Sequence, residues 1–133
     1  MVKLILMTLL CWLVRTDQAT LKIVVRHIQA DKGSIVVEIY NSETGFLKKP
    51  VASETQKASS GTMEFSFNIP AGLYAVAVYQ DLNGNKKLDA GLFHIPKEPF
   101  GFSNNYRPSF SAPDYKDCVI AVIGQTTSII VLK

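Results

Sequence analysis

The chain has 133 residues, 47% of them hydrophobic, with 14 Lys and Arg against 11 Asp and Glu. That is enough apolar material for one core, and too little length for a second domain of ordinary size. A net charge of +3 with no run of like charges lacks the electrostatic footprint of a nucleic-acid binder or of a protein held on an anionic membrane.

The first segment differs in kind from the rest. Lys3 precedes a nearly unbroken apolar run over residues 4–14 (LILMTLLCWLV), and that run is too short for a bilayer, which needs about 20 residues. Charge followed by a short apolar run is the layout of a secretory leader. The expectation is a signal peptide over residues 1–19, cut after Ala19, and an exported domain over residues 20–133. That domain would be periplasmic or extracellular, with no membrane insertion of the mature chain. The cut site is irregular, because Asp17 stands where a small residue is preferred. A buried N-terminal strand or helix is the alternative. Cys11 raises the question of a lipid anchor, but Leu10 before it is a poor match to the small residue such a site needs. Without residues 1–19, Cys118 is alone and no internal disulfide can form. Its setting, CVIAVI, predicts a strand and a buried, inert thiol.

Next come period-two segments. Residues 20–28 (TLKIVVRHI) place Leu21, Ile23 and Val25 on one face. Asp31-Lys32-Gly33 signals a turn, and residues 34–40 (SIVVEIY) alternate again with Ile35, Val37 and Ile39 on one side. Residues 41–61 read as a polar connection with one short edge strand near residues 51–55. Residues 62–69 alternate most cleanly, with Met63, Phe65, Phe67 and Ile69 between Thr62, Glu64, Ser66 and Asn68. That pattern requires a strand with one wet face. After the Pro70-Ala71-Gly72 turn, residues 73–80 (LYAVAVYQ) are apolar on both faces and predict a central strand. Residues 117–123 and 126–132 flank Gly124-Gln125 and predict a closing hairpin. The sum is an all-β fold, an antiparallel β-sandwich of about seven strands.

Residues 81–116 break the pattern, being rich in Pro, Gly, Asn and aromatics. Phe93, Phe100, Phe102, Tyr106, Phe110 and Tyr115 supply enough apolar surface for the segment to order itself. It is expected to be a long ordered loop folded onto one end of the sandwich. It starts with DLNGNKKLD, in which Asp81, Asn83, Asn85 and Asp89 offer oxygens at alternating positions and Lys87 offers a backbone carbonyl. A hard cation such as calcium takes six to eight oxygens, and such a loop can curl around it. Glu98 is a further candidate ligand from later in the chain. Against this, Gly84 sits two positions early for an EF-hand loop, Leu92 stands where its closing Glu belongs, and Lys86 and Lys87 add positive charge. The competing reading is a self-capped turn, since Asp and Asn side chains bond their own backbone. The aromatics, chiefly Phe100, Phe102 and Tyr106, either present faces to a glycan or protein partner or form a small core that pins the loop.

Catalysis has little support. His27 closes the first strand and His94 lies in the loop, and no nucleophile elbow or zinc spacing accompanies either. Asp81, Asp89 and Glu98 offer a hypothetical acid pair for glycoside hydrolysis, at separations that sequence does not set. The reading is no enzyme.

Two segments, IPAGLYAVAVYQDLNGNKKLD over 69–89 and IPKEPFGFSNN over 95–105, carry a resemblance. Gly72, Tyr74 and Ala75, then Asp81, Asn83, Asn85, Leu88 and Asp89, then Pro96, Glu98, Gly101 and Ser103 resemble the joined motifs of the bacterial domain-of-unknown-function family 2141. PDYKDCVIAV over 113–122 is similar to its closing strand, with Cys118 where a small residue is usual. The resemblance implies export, a transthyretin-like (prealbumin-like) or immunoglobulin-like sandwich, and no established activity. The functional expectation is an exported accessory or binding domain, with calcium in the 81–98 loop as its possible cofactor. Its partner is an unnamed protein or glycan, and the alternative role is a carbohydrate-binding module using the loop aromatics.

Overall fold

The computed structural model describes residues 17–85, 98–109 and 111–133. Eight strands account for most of them: β1 Gln18–Arg26, β2 Ser34–Tyr40, β3 Ala52–Lys57, β4 Thr62–Pro70, β5 Gly72–Asp81, β6 Phe100–Phe102, β7 Ile120–Val122 and β8 Gln125–Val131. One helical turn, α1 Tyr115–Cys118, and a 3-10 turn over Ser103–Asn105 complete the described elements. The strands form two sheets. One has the order β4-β1-β8, and the other β3-β2-β5-β6 with β7 added on the first residues of β5.

Alternation builds the shared core. In β4, Met63, Phe65, Phe67 and Ile69 are buried, while Thr62, Glu64, Ser66 and Asn68 are exposed. Leu21, Ile23 and Val25 of β1 join them from the same sheet. Ile35, Val37 and Ile39 of β2 and Val76 and Val78 of β5 join from the other. Both sheets therefore bury apolar faces in one cluster, which is what period-two segments with one wet face require. β5 is central, between β2 and β6, and is buried on both faces, as its composition predicts. β3 is the expected edge strand and, among the described strands, pairs only with β2. A second cluster lies on the opposite face of β5, where Ala75 and Ala77 meet Tyr40, Phe46, Phe102 and Cys118.

Four expectations need correction. The sheets are not purely antiparallel, because β8 runs parallel to β1 from Thr20↔Gln125 to Arg26↔Val131. The closing hairpin does not form. β7 pairs with β5 and β8 with β1, and Gly124, at φ +57, turns the chain from one sheet to the other. The physical reason is that Val122 and Ile130 both enter the shared core, each from a different sheet. The 81–116 excursion contains a strand, β6, which the irregular composition of PFGFSNN hides. Cys118 closes the α1 turn and does not begin a strand. The Asp114 N–H donates to the Asp117 carboxylate across that turn (3.3 Å), the reciprocal bond of a capping box.

β1 begins two residues before Thr20. Gln18 pairs with Pro70 and Ala19 with Ile69, and Ala19 is buried in the main core. The Ala71 N–H donates to the Asp17 carbonyl (2.7 Å).

Candidate functional site

The bend that follows β5 collects the oxygens singled out in the sequence. Asp81 is the last residue of β5, paired with Ser34, and is buried. Its Oδ1 accepts from the Gly84 N–H (3.0 Å), and Asn83 Oδ1 accepts from the Asn85 N–H (3.1 Å). Glu98, also buried, returns from sixteen residues downstream so that its Oε2 accepts from the Leu82 N–H (2.6 Å). Asp81, Asn83 and Glu98 thus cap three amides of the turn, and Gly84 supplies the positive φ (+77) that the turn needs. Lys87 and Asp89 lie outside the described residues, as does His94. His27 follows β1 at a positive φ and is exposed.

Two contacts hold the bend against the sheet. Gly33 (φ +60) lies so close beneath it that a Cβ there would meet the Asp81 carbonyl oxygen at 2.0 Å. Gln80 points the other way, into the interior, and is completely buried. Its Oε1 accepts from the Gln29 N–H (3.0 Å), and its Nε2 donates to the carbonyls of Gln29 and Lys32 (2.7 Å each). A single side chain thereby satisfies three backbone groups of the β1–β2 connection and ties that connection to the root of the bend. Sequence reading missed it, although a signal existed: Gln80 shares strand parity with Val76 and Val78, the core-facing residues of β5.

The surroundings are acidic and phenolic. Burial, followed by the charges of Glu38, Asp81 and Glu98, raises the Tyr79 hydroxyl well above the usual phenol range. Tyr40 is raised in the same way, by burial and by its hydrogen bond to the Glu38 carboxylate. Chemically, the bend offers carboxylate and amide oxygens, the donor set of a hard cation. Among the described residues no group of three or more His, Cys, Asp or Glu is arranged to hold a metal ion.

The three aromatic candidates sit together, packed inward. Phe102 is buried in the second cluster, and Phe100 and Tyr106 pack on it half-buried. The Phe100 and Phe102 rings meet edge to face, with centroids 5.6 Å apart. Arg107 places its guanidinium 5.5 Å from the Phe100 centroid, donates to the Phe100 carbonyl (2.9 Å) and also donates to the Val131 carbonyl. The Asn105 side chain donates to the Ile129 carbonyl (3.1 Å) and accepts from the Val131 N–H (3.0 Å), as a neighbouring strand would. These contacts pin the described part of the loop, residues 98–109: its rings fill a small core and its polar groups close the outer edge of β8.

Residues 23–130 match the family model described as an uncharacterized protein conserved in bacteria, DUF2141. The chain belongs to DUF2141. The matched span takes in the whole bend, both buried carboxylates and the aromatic segment. No curated protein and no solved structure matches the chain. A DUF2141 match brings no activity with it, so the chemistry has to be argued from the residues. Besides the bend, the described surface has a groove of about 530 Å³ at the opposite end of β1, lined by Gln18, Ala19, Thr20, Asn68, Gly124 and Gln125 and by no charged side chain.

Cys118 has no place in such chemistry. It is fully buried, and its thiol is pushed up to about 12 by burial and by the nearby Asp117 charge. The backbone around it is fixed by Ser103, whose hydroxyl donates to the Cys118 carbonyl and accepts from the Val76 N–H (2.9 Å). In the unfolded chain the thiol ionises from about its ordinary value of 9.0, whereas the folded thiol keeps its proton. Above that value the unfolded state therefore binds fewer protons, and stability falls as pH rises toward 12. Tyr40 and Tyr79, raised in the same direction, steepen the fall. Denaturation midpoints measured from pH 8 to 11 should decline, and Cys118→Ala should flatten the part of that decline nearest pH 9. At pH 8 the native thiol should resist iodoacetamide and react once the chain is denatured.

Proposed function

We propose that this protein is an exported β-sandwich accessory or binding domain, of transthyretin-like or immunoglobulin-like type, that works by presenting the bend that starts at Asp81 and is capped by Glu98, and not by catalysis. The observation that supports this reading is the convergence of Asp81 and Glu98, two buried carboxylates far apart in sequence, on the amides of one turn. A buried carboxylate is costly to hold, and two of them at one exposed bend make sense where the shape of that bend matters. In the calcium form of the proposal, Asp81 and Glu98 are the charged ligands, Asn83 and Asn85 the neutral ones, and Lys87 and Asp89 complete the set through a carbonyl and a carboxylate. The ion would tie the bend down structurally. Export follows the leader layout of residues 1–19, and the partner is a protein or glycan meeting the bend from solution.

Melting the domain in calcium and then in chelator tests the cation. Calcium should raise the midpoint by several degrees, as expected for a ligand present well above its Kd, and Asp81→Ala should abolish the rise. Identical midpoints in both buffers would remove calcium from the proposal and leave the self-capped bend.

A further inference from the structure

We propose that the leader ends at the Thr16–Asp17 bond, so that the mature chain begins at Asp17 and not at Thr20. The proposal rests on the export reading above. Fold integration is the first argument. Ala19 is 4% exposed and belongs to the shared core cluster. Gln18 and Ala19 form the first two pairs of the β1–β4 ladder, opposite Pro70 and Ile69. The Asp17 carbonyl accepts from the Ala71 N–H at the turn that joins β4 to β5 (2.7 Å). The exposed-buried alternation of β1 already runs in phase from Gln18. A cut after Ala19 would remove a core side chain, two register pairs and the bond that closes the β4–β5 turn. It would also strip two lining residues from the groove beside Gly124.

The chemistry of the cut points the same way. Leader processing prefers small, uncharged residues at the last and third-last positions before the bond. A cut after Ala19 puts the Asp17 carboxylate at the third-last position. A cut after Thr16 puts Val14 and Thr16 there, both compact and uncharged. In the reaction a leader peptidase adds water across the peptide bond. Thr16 leaves with the new carboxylate, and Asp17 keeps its nitrogen as the new amine.

The test is to express the full chain in an export-competent bacterium and measure the intact mass and N-terminal sequence of the exported protein. A chain beginning at Asp17 is the expected result. A chain beginning at Thr20, or at any other residue after the apolar run, overturns the assignment and leaves the export reading standing. A chain that retains Met1 overturns both. As an independent check, domains beginning at Asp17 and at Thr20, released from fusions, are compared by thermal melting. The shorter should melt lower by roughly 5 °C or more, a shift of the size expected when a kcal/mol or so is lost from a domain this small. Equal midpoints would show that residues 17–19 contribute nothing to the fold and would overturn the structural argument.

Discussion

Gly33→Ala should destabilise the domain by about 3 kcal/mol or more, although it adds a single methyl group. Two costs combine. Gly33 sits at φ +60, where an L side chain carries a backbone penalty of about 1–3 kcal/mol. The added Cβ would also stand 2.0 Å from the Asp81 carbonyl oxygen and 2.9 Å from its carbon. Both of those atoms are backbone, so relief requires β2 and the end of β5 to separate where Ser34 pairs with Asp81. Gly84→Ala separates the two costs. Gly84 also has positive φ (+77), but a Cβ there meets nothing within 4 Å. It should cost about 1 kcal/mol, the backbone contribution alone. Urea denaturation of the two variants side by side checks both values. Equal losses would mean that the bend does not need the space Gly33 leaves, and that the close packing of the bend on the β1–β2 turn is not what holds it.

Gln80→Leu should cost about 3–5 kcal/mol while keeping nearly the same volume. The wild-type side chain, itself fully buried, satisfies the Gln29 N–H, the Gln29 carbonyl and the Lys32 carbonyl through part-buried bonds. Leucine leaves all three groups without that partner, and each buried unsatisfied group costs about 1–3 kcal/mol. Gln80→Glu should be worse still. It keeps an acceptor for the Gln29 amide, but places a carboxylate oxygen against two carbonyls and buries a charge. Amide hydrogen exchange at Gln29 gives the local readout: it should accelerate strongly in the leucine variant. A loss below about 1 kcal/mol for leucine would show that solvent reaches the β1–β2 connection, and that the Gln80 tie does not position the bend.

These two residues show how the site is built. Asp81 and Gln80 are neighbours on one strand, so they face opposite sides of the sheet. Gln80 anchors the strand end from within, Gly33 leaves room for it from below, and Asp81 and Glu98 then cap the turn from the outer face. Stiffness at the bend comes from the sheet behind it. Any ligand placed there, ion or partner, meets a surface whose ordering cost has been met at folding, which is how a preorganised bend improves affinity.

The aromatic segment teaches a related point. Phe100, Phe102 and Tyr106 were candidates for a binding face because aromatic rings in an irregular loop carry that potential. The packed arrangement puts Phe102 in the second cluster with Phe100 and Tyr106 against it, while Arg107 and Asn105 dress the edge of β8. Composition shows that such a loop can order itself. Which rings are spent on that ordering depends on the Ala75 and Ala77 surface of β5, small residues that leave room for them.

The amino-acid sequence by itself determined strands β1 to β5 and β8 and their faces, but not β6 or the start of β7. Met63, Phe65, Phe67 and Ile69, or Leu21, Ile23 and Val25, declare a buried side because a two-residue period is a local property that each segment carries alone. The Asp-Asn-Gly-Asn chemistry of the bend was legible for the same reason. Only the tertiary structure decided which strands became neighbours: that β8 lies parallel on β1, that β7 leaves it for β5, that Glu98 returns to the Leu82 amide and that Gln80 serves the β1–β2 connection. Those outcomes follow from closing one core between two sheets, where a strand pairs with whichever edge its buried face can reach. That condition belongs to the assembled chain and is written in no single segment of it.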